Sequence, residues 1–187
     1  MHLINLSLGA PRPSAIERDA IADALDHGSL CLCAAGNNAP QWPQVCYPAA
    51  FEEAVAVSAL GLEGVAPPGS LSGSRLPDHP ERFAGPLFLA NFSCHGPEIG
   101  TTAPGVGIVA PVPERFGMAA PYGVMDGTSM AAPMACAALA RVLSSDAAYL
   151  ALPPQRARAE RARHLLVEHC ADLGLDRRYQ GQGLCLG

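Results

Sequence analysis

The stretch HLINLSLGAPRPSAIERDAIADALDHGSLCLCAAG, His2 to Gly36, decides the fold class. His2–Leu8 is a short apolar run and reads as a buried strand. Gly9, Pro11 and Pro13 end it, since proline lacks the N–H that a strand ladder needs. Ser14 then stands where a helix N-cap belongs, with Glu17 three residues on, the spacing of a capping box. Ile16, Ala20, Ile21, Ala24 and Leu25 recur at helical spacing, so residues 15–27 read as an amphipathic helix that Gly28 stops. Leu30–Gly36 is a second apolar strand. Strand, helix and strand at these lengths make a right-handed crossover unit of a parallel sheet.

Downstream, AVAVSAL (Ala54–Leu60) reads as a third strand. Parallel strands buried on both faces are continuous apolar runs, as these are. Residues 61–86 change character: they are rich in Gly, Pro, Ser and charge, without periodicity. They read as a long loop or surface insertion, placed at about Gly61–Ala90. FSCHGPEIGTTAPGVGIVAPVP (Phe92–Pro113) is loop-rich, with a short strand near Val106–Ala110. Thr128 to about Ser145 is a strongly apolar helix, and Pro154 to about Ala171 a last helix, polar on one side. No internal repeat is present. The expectation is one α/β domain, a parallel sheet flanked by helices.

A chain of 187 residues, 49% apolar, can bury a core and is not a disordered tail. The net charge of −5 argues against a nucleic-acid partner, which would want a basic stripe. The densest basic stretch, Arg156–Arg163, carries Glu160 inside it and reads as a solvated helix face. No membrane span is expected, because the longest charge-free apolar run, around Met130–Ala140, is about half the ~20 residues a bilayer requires. The N-terminus has no basic start and too short an apolar run for a signal peptide, so a cytosolic chain is expected, or a secreted one if an upstream segment directs export. Seven cysteines are present. Cys31 and Cys33 alternate along a strand and share a face, and Cys46 is near enough in sequence to make a metal site conceivable. No CxxC pair or clustered histidine supports one, and buried free thiols are the reading adopted.

Chemistry concentrates in YGVMDGTSMAAPM, Tyr122–Met134. Gly127 permits close approach and Thr128 can cap. Ser129 would sit in the first helical turn, where orphan N–H groups and the helix dipole favour negative charge. That place suits a serine whose acyl adduct carries an oxyanion, and it equally suits an ordinary helix cap. In AAGNN (Ala34–Asn38), just past a strand end, Asn37 or Asn38 offers an amide donor where parallel-sheet proteins hold ligands. An Asn after a Gly is also a common turn residue.

Taken in order, INLSLG, CLCAAGNN, CYPAAFEEAVAVSAL, the Phe92–Pro113 stretch, YGVMDGTSMAAP and YQGQGL resemble the second half of a subtilisin-like serine peptidase catalytic domain. The resemblance implies a serine endopeptidase acting on polypeptides through an acyl-enzyme. Ser129 matches the nucleophile and Asn37 the side-chain donor of the oxyanion hole, with the Ser129 N–H as the other donor. Ser7, Leu8 and Gly9 match the segment that pairs with an extended substrate and forms one wall of the specificity pocket. Ala34, Ala35 and Gly36 match the opposite wall, and small residues on both sides imply an open pocket for a sizeable apolar side chain.

The departures from the pattern are as informative. The family orders its triad Asp, His, Ser, and no DTG-like or HGTH-like segment occurs here. None of His2, His27, His79, His95, His164 and His169 has a matching context. Met134 stands where the family usually has a histidine after the proline. No cofactor is implied; the family's tight calcium loop lies mostly upstream of the matched part, and a weak site near Tyr47–Phe51 has no support. The first strand is expected to be an open sheet edge, completed by a separate or upstream N-terminal half that carries Asp and His. A non-catalytic pseudo-peptidase that binds extended peptides is the alternative. A nucleotide-binding domain is disfavoured, since no GxGxxG or P-loop is present.

Overall fold

The computed structural model describes residues 1–113 and 121–186. Strands β1 (Leu3–Leu6), β2 (Leu30–Ala34), β3 (Val55–Leu62) and β6 (Ile99–Pro104) lie side by side in that order, all parallel. β10 (Leu184–Cys185) continues the sheet parallel to β6, and β9 (Cys170–Ala171) closes it antiparallel. β5 (Leu87–Leu89) runs antiparallel to the end of β3 and carries β4 (Phe83–Ala84) beside it. A separate antiparallel pair, β7 (Ile108–Pro111) and β8 (Tyr122–Met125), leads into the longest helix.

The side-chain alternation of β2 separates two cores. Leu30, Leu32 and Ala34 join one face, under α2 (Thr128–Ser145) and α4 (Arg156–Glu168). Cys31 and Cys33 join the other, with Ile21 of α1 (Ala15–Asp26), Phe51 and Ala54. All seven cysteines are free thiols, five of them buried. Two short helices, α3 (Ala147–Leu150) and α5 (Arg177–Gln180), sit at turns.

Helix α1 starts as its residues dictate: Ser14 Oγ accepts the Glu17 N–H at 3.3 Å, and Gly28 follows with φ +76°. Ile21 and Leu25 are its buried face, whereas Ile16, counted into the apolar stripe, is 83% exposed in the first turn. α2 spans the expected range, and α4 is shorter than its expected span, because His169 caps it and Cys170 begins β9.

Three regions differ from expectation. The segment after Leu60 contains strand residues up to Leu62, two 3-10 turns (Leu71–Ser74 and Pro80–Arg82) and β4 and β5; these short elements are too brief to show periodicity. β6, a central strand, falls in a stretch expected to be loop-rich. Its Gly100, Thr101, Thr102 and Pro104 look like loop residues, yet Thr101 and Thr102 are fully buried because their hydroxyls bond the Gly183 and Ser58 carbonyls. The basic face of α4 is not wholly solvated. Arg158 is buried and donates to the carbonyls of Gly28 (3.0 Å) and Met1 (2.9 Å), while Arg163 donates to those of Ala54 and Glu53. Arg156 stays outside, paired with Asp26 and Glu160.

Candidate active site

The fold brings three chain segments to the carboxyl end of the sheet: the exit of β1, the exit of β2 and the start of α2. Gly127 anchors the last, its N–H donating to the Gly105 carbonyl just beyond β6 at 2.8 Å. Thr128 is buried and does not cap its helix. Its N–H and its hydroxyl both donate to Asn37 Oδ1, at 2.9 and 2.8 Å, while the hydroxyl oxygen accepts the Gly36 N–H at 3.1 Å. The oxygen end of the Asn37 amide is thereby tied down, and its N–H₂ end faces outward. A residue read from sequence as a cap is instead the group that orients the amide.

The two donors meet over Gly127. The position a Cβ would take on that glycine lies 3.2 Å from Asn37 Nδ2 and 3.6 Å from the Ser129 backbone nitrogen. Both are free to donate to a ligand: the first-turn N–H has no intrahelical acceptor. Only a residue without a side chain leaves this point open. With no side chain on Gly127, an oxygen approaching from the cleft can reach both N–H groups at the positive end of a helix of 18 residues.

Ser129 itself is half-buried, and its Oγ lies 3.4 Å from the Ser7 carbonyl oxygen. The opposite contact is tighter, with the Ser7 hydroxyl donating to the Ser129 carbonyl at 2.7 Å. Pro133 explains why that carbonyl is available. It sits inside α2 four residues on and has no N–H to return. No histidine reaches Ser129. His2 bonds Tyr149, His27 bonds the Asp23 carbonyl, His79 and His164 neighbour Glu81 and Glu168, His95 packs on Tyr179, and His169 bonds the Leu165 carbonyl.

The expected pocket walls are only partly walls. Ser7, Leu8 and Gly9 are exposed along the cleft, and Gly36 is half-buried. Ala34 and Ala35 send their side chains into the two cores, so they can offer only backbone. Between Gly9 and Gly36 sits Cys46: a Cβ on Gly9 would be 3.2 Å from its Cβ, and one on Gly36 2.7 Å from its sulfur. Its side chain is buried in the core beneath these two glycines. Outside it, a cavity of about 730 Å³ is lined by Pro11, Arg12, Asn37, Asn38, Gln41 and Trp42. Sequence reasoning missed Arg12 and Trp42, which belong to no local pattern.

Asp126, just before Gly127, ties the site to the segment after β3. It accepts from Ser72 Oγ (2.6 Å), the Gly107 N–H (2.8 Å) and Arg75 Nε (3.0 Å). Partial burial opposes its ionisation, but these three donors prevail and hold the carboxyl below its ordinary range. Among the described residues no group of three or more His, Cys, Asp or Glu could hold a metal ion, and no helix is long and apolar enough to cross a membrane.

Comparison with known proteins gives the family and the fold. The family model of the subtilase family matches residues 1–183. The chain is 33% identical over 145 residues to the major intracellular serine protease of Bacillus subtilis (strain 168), covering 76% of this chain and 37% of that one. It is 30% identical over 186 residues to subtilisin DY of Bacillus licheniformis, covering 98% of this chain and 54% of the relative. Among solved structures, the S41 psychrophilic protease superposes with a TM-score of 0.70 at 25% identity, over 98% of this chain and 56% of that one. The chain thus spans about half, or less, of the length of these relatives.

Proposed function

Since this chain belongs to the subtilase family, we propose that it is the nucleophile- and oxyanion-bearing part of a serine endopeptidase. Ser129 Oγ attacks the carbonyl carbon of a peptide bond. The oxygen that becomes negative accepts from Asn37 Nδ2 and the Ser129 N–H, in the space left in front of Gly127 by its missing side chain. The observation that carries this reading is that Asn37 Nδ2 and the Ser129 nitrogen border the same side of Gly127, 3.2 and 3.6 Å from where a Cβ on it would stand. Ser7, Leu8 and Gly9 offer the edge along which an extended substrate pairs.

The serine proton needs an acceptor. None of the six histidines bonds Ser129, so the reading assigns the base and its orienting acid to a polypeptide seated on the free edge of β1, upstream in the same protein or in a separate chain. The chemistry runs through side chains and backbone and needs no cofactor. A cytosolic setting belongs to the same reading, supported by the seven unpaired thiols.

The test is labelling of Ser129 by a fluorophosphonate. The chain alone should react no faster than free serine. With the matching Asp- and His-bearing half added or fused upstream, labelling and peptide hydrolysis should both appear, and Ser129→Ala should abolish them. Rapid labelling of the isolated chain would refute the need for a partner base; absence of labelling in the assembled protein would refute the nucleophile. The exposed Ser7–Gly9 edge with no base nearby favours one other reading, a pseudo-peptidase that holds extended peptides without cleaving them. Peptide binding without turnover in the assembled protein would support it.

A further inference from the structure

Far from the cleft, two cysteines face each other across a ladder. β9 and β10 pair antiparallel with Cys170 directly opposite Cys185. The next pair outward carries the hydrogen bond, with the Leu186 N–H donating to the His169 carbonyl at 3.0 Å. Bonded and non-bonded positions alternate along such a ladder, so the two cysteines occupy a non-bonded position, where Cα atoms approach to about 4.5 Å. That lies inside the span of roughly 4.4–6.8 Å that a disulfide bridges.

The two thiols are also chemically unlike. Contact with the Cys185 thiol lowers Cys170 to about 7, nearby His169 adds to that effect, and burial opposes it. Cys185 is pushed up, by the same contact and by burial. Cys31, Cys33 and Cys94 are instead pushed up to about 11, 12 and 11 by burial, which makes them poor nucleophiles. Cys170 is partly exposed and Cys185 is buried behind it. The partly exposed residue carries the more ionisable sulfur, and the buried one stands directly opposite it across the ladder.

We propose that Cys170 and Cys185 form an oxidation-sensitive dithiol that closes to a disulfide when a peroxide reaches Cys170. The Cys170 thiolate attacks one oxygen of hydrogen peroxide; the O–O bond breaks, hydroxide leaves, and Cys170 becomes a sulfenic acid. The Cys185 sulfur attacks that sulfur while giving up its proton. The S–O bond breaks, and the departing hydroxide takes the proton and leaves as water. Two thiols and one peroxide become one disulfide and two waters, with two electrons passing from sulfur to oxygen. The bond fastens β10, only two residues long, to the exit of α4. A small-molecule thiol reverses it by exchange.

The experiment treats the purified chain with a small excess of hydrogen peroxide, unfolds it in iodoacetamide, and maps the tryptic peptides. The expected result is a linked pair of peptides containing Cys170 and Cys185, with the other five cysteines alkylated and the link lost after dithiothreitol. In Cys185→Ser, dimedone should trap a sulfenic acid on Cys170. The mapping of the unaltered chain decides the matter even if that variant folds poorly. Full alkylation of both cysteines after peroxide, or a link from Cys170 to Cys136 instead, would overturn the proposal.

Discussion

Helices α2 and α4 cover the same face of the sheet and share one apolar core, but α4 adds guanidinium bonds to its packing. α2 is seated by small residues: Ala131, Ala132 and Ala135 are essentially fully buried, with Leu139 below them. Such side chains let a helix approach a sheet closely, and close packing admits little displacement. α4 is seated by guanidinium groups, with Arg158 and Arg163 donating to carbonyls at the ends of neighbouring elements. Ala159, Ala162, Leu165 and Leu166 pack it into the core as well, so these directional bonds from long side chains add to packing. The chemistry rides on α2, at whose start Gly127, Thr128 and Ser129 are placed by Gly105, Asn37 and Ser7 from three other segments. α4 contributes stability alone.

Variants can break or sharpen that contrast. The largest effect belongs to Ser129→Ala in the assembled enzyme, which should lower kcat by about 10⁶, the magnitude known for a subtilisin, a member of the same family. Thermal melting should be unchanged, since the Ser129 carbonyl keeps its bond to Ser7. Next comes the hole. Asn37→Ala should cost about 2.7–4 kcal/mol in the transition state, a value that also belongs to a subtilisin. Gly127→Ala should fall in the same range, because its methyl, 3.2 Å from Asn37 Nδ2, would crowd the approach of the oxyanion to both donors. In both, hydrolysis rates should drop while substrate affinity holds.

Arg158→Ala should leave turnover intact and lower stability by about 1–3 kcal/mol, read from denaturant unfolding, because buried carbonyls lose their donor. Arg156→Ala, whose partners are exposed, is the control and should not move the midpoint measurably. A loss of activity in Arg158→Ala without unfolding would end the division of labour between the two helices.

The smallest effect concerns acid. A carboxyl whose native pKa is depressed stabilises the fold above its unfolded value and loses that contribution as pH falls through the native one. The Asp126 contribution is therefore complete at neutral pH and disappears below the ordinary value of 3.8. Asp126→Asn should be less stable than the parent at pH 6 and should show a flatter acid limb, measured by melting at stepped pH.

Apolar patterning made α1, α2, β2 and β3 legible, because each needs only a run or a period. It could not show β6, whose threonines are buried through bonds to residues far along the chain. Nor could it show that Arg158 turns inward, since a charged residue on a polar helix face looks solvated whether or not a carbonyl waits beneath it. At the site, Ser129 and Asn37 were recognisable only through resemblance to a family; alone they read equally well as a cap and a turn. Thr128 was visible but misassigned, for its partner lies 91 residues away. The place of Cys46 was hidden for a similar reason. It belongs to neither wall, and only the fold brings it beneath Gly9 and Gly36.

Pro133 has a reach beyond its own helix. By withholding one N–H, it gives the serine's carbonyl to the tip of the outermost strand. Under the proposed function, the bond to Ser7 is the route by which a partner seated on the strand would touch the reactive residue.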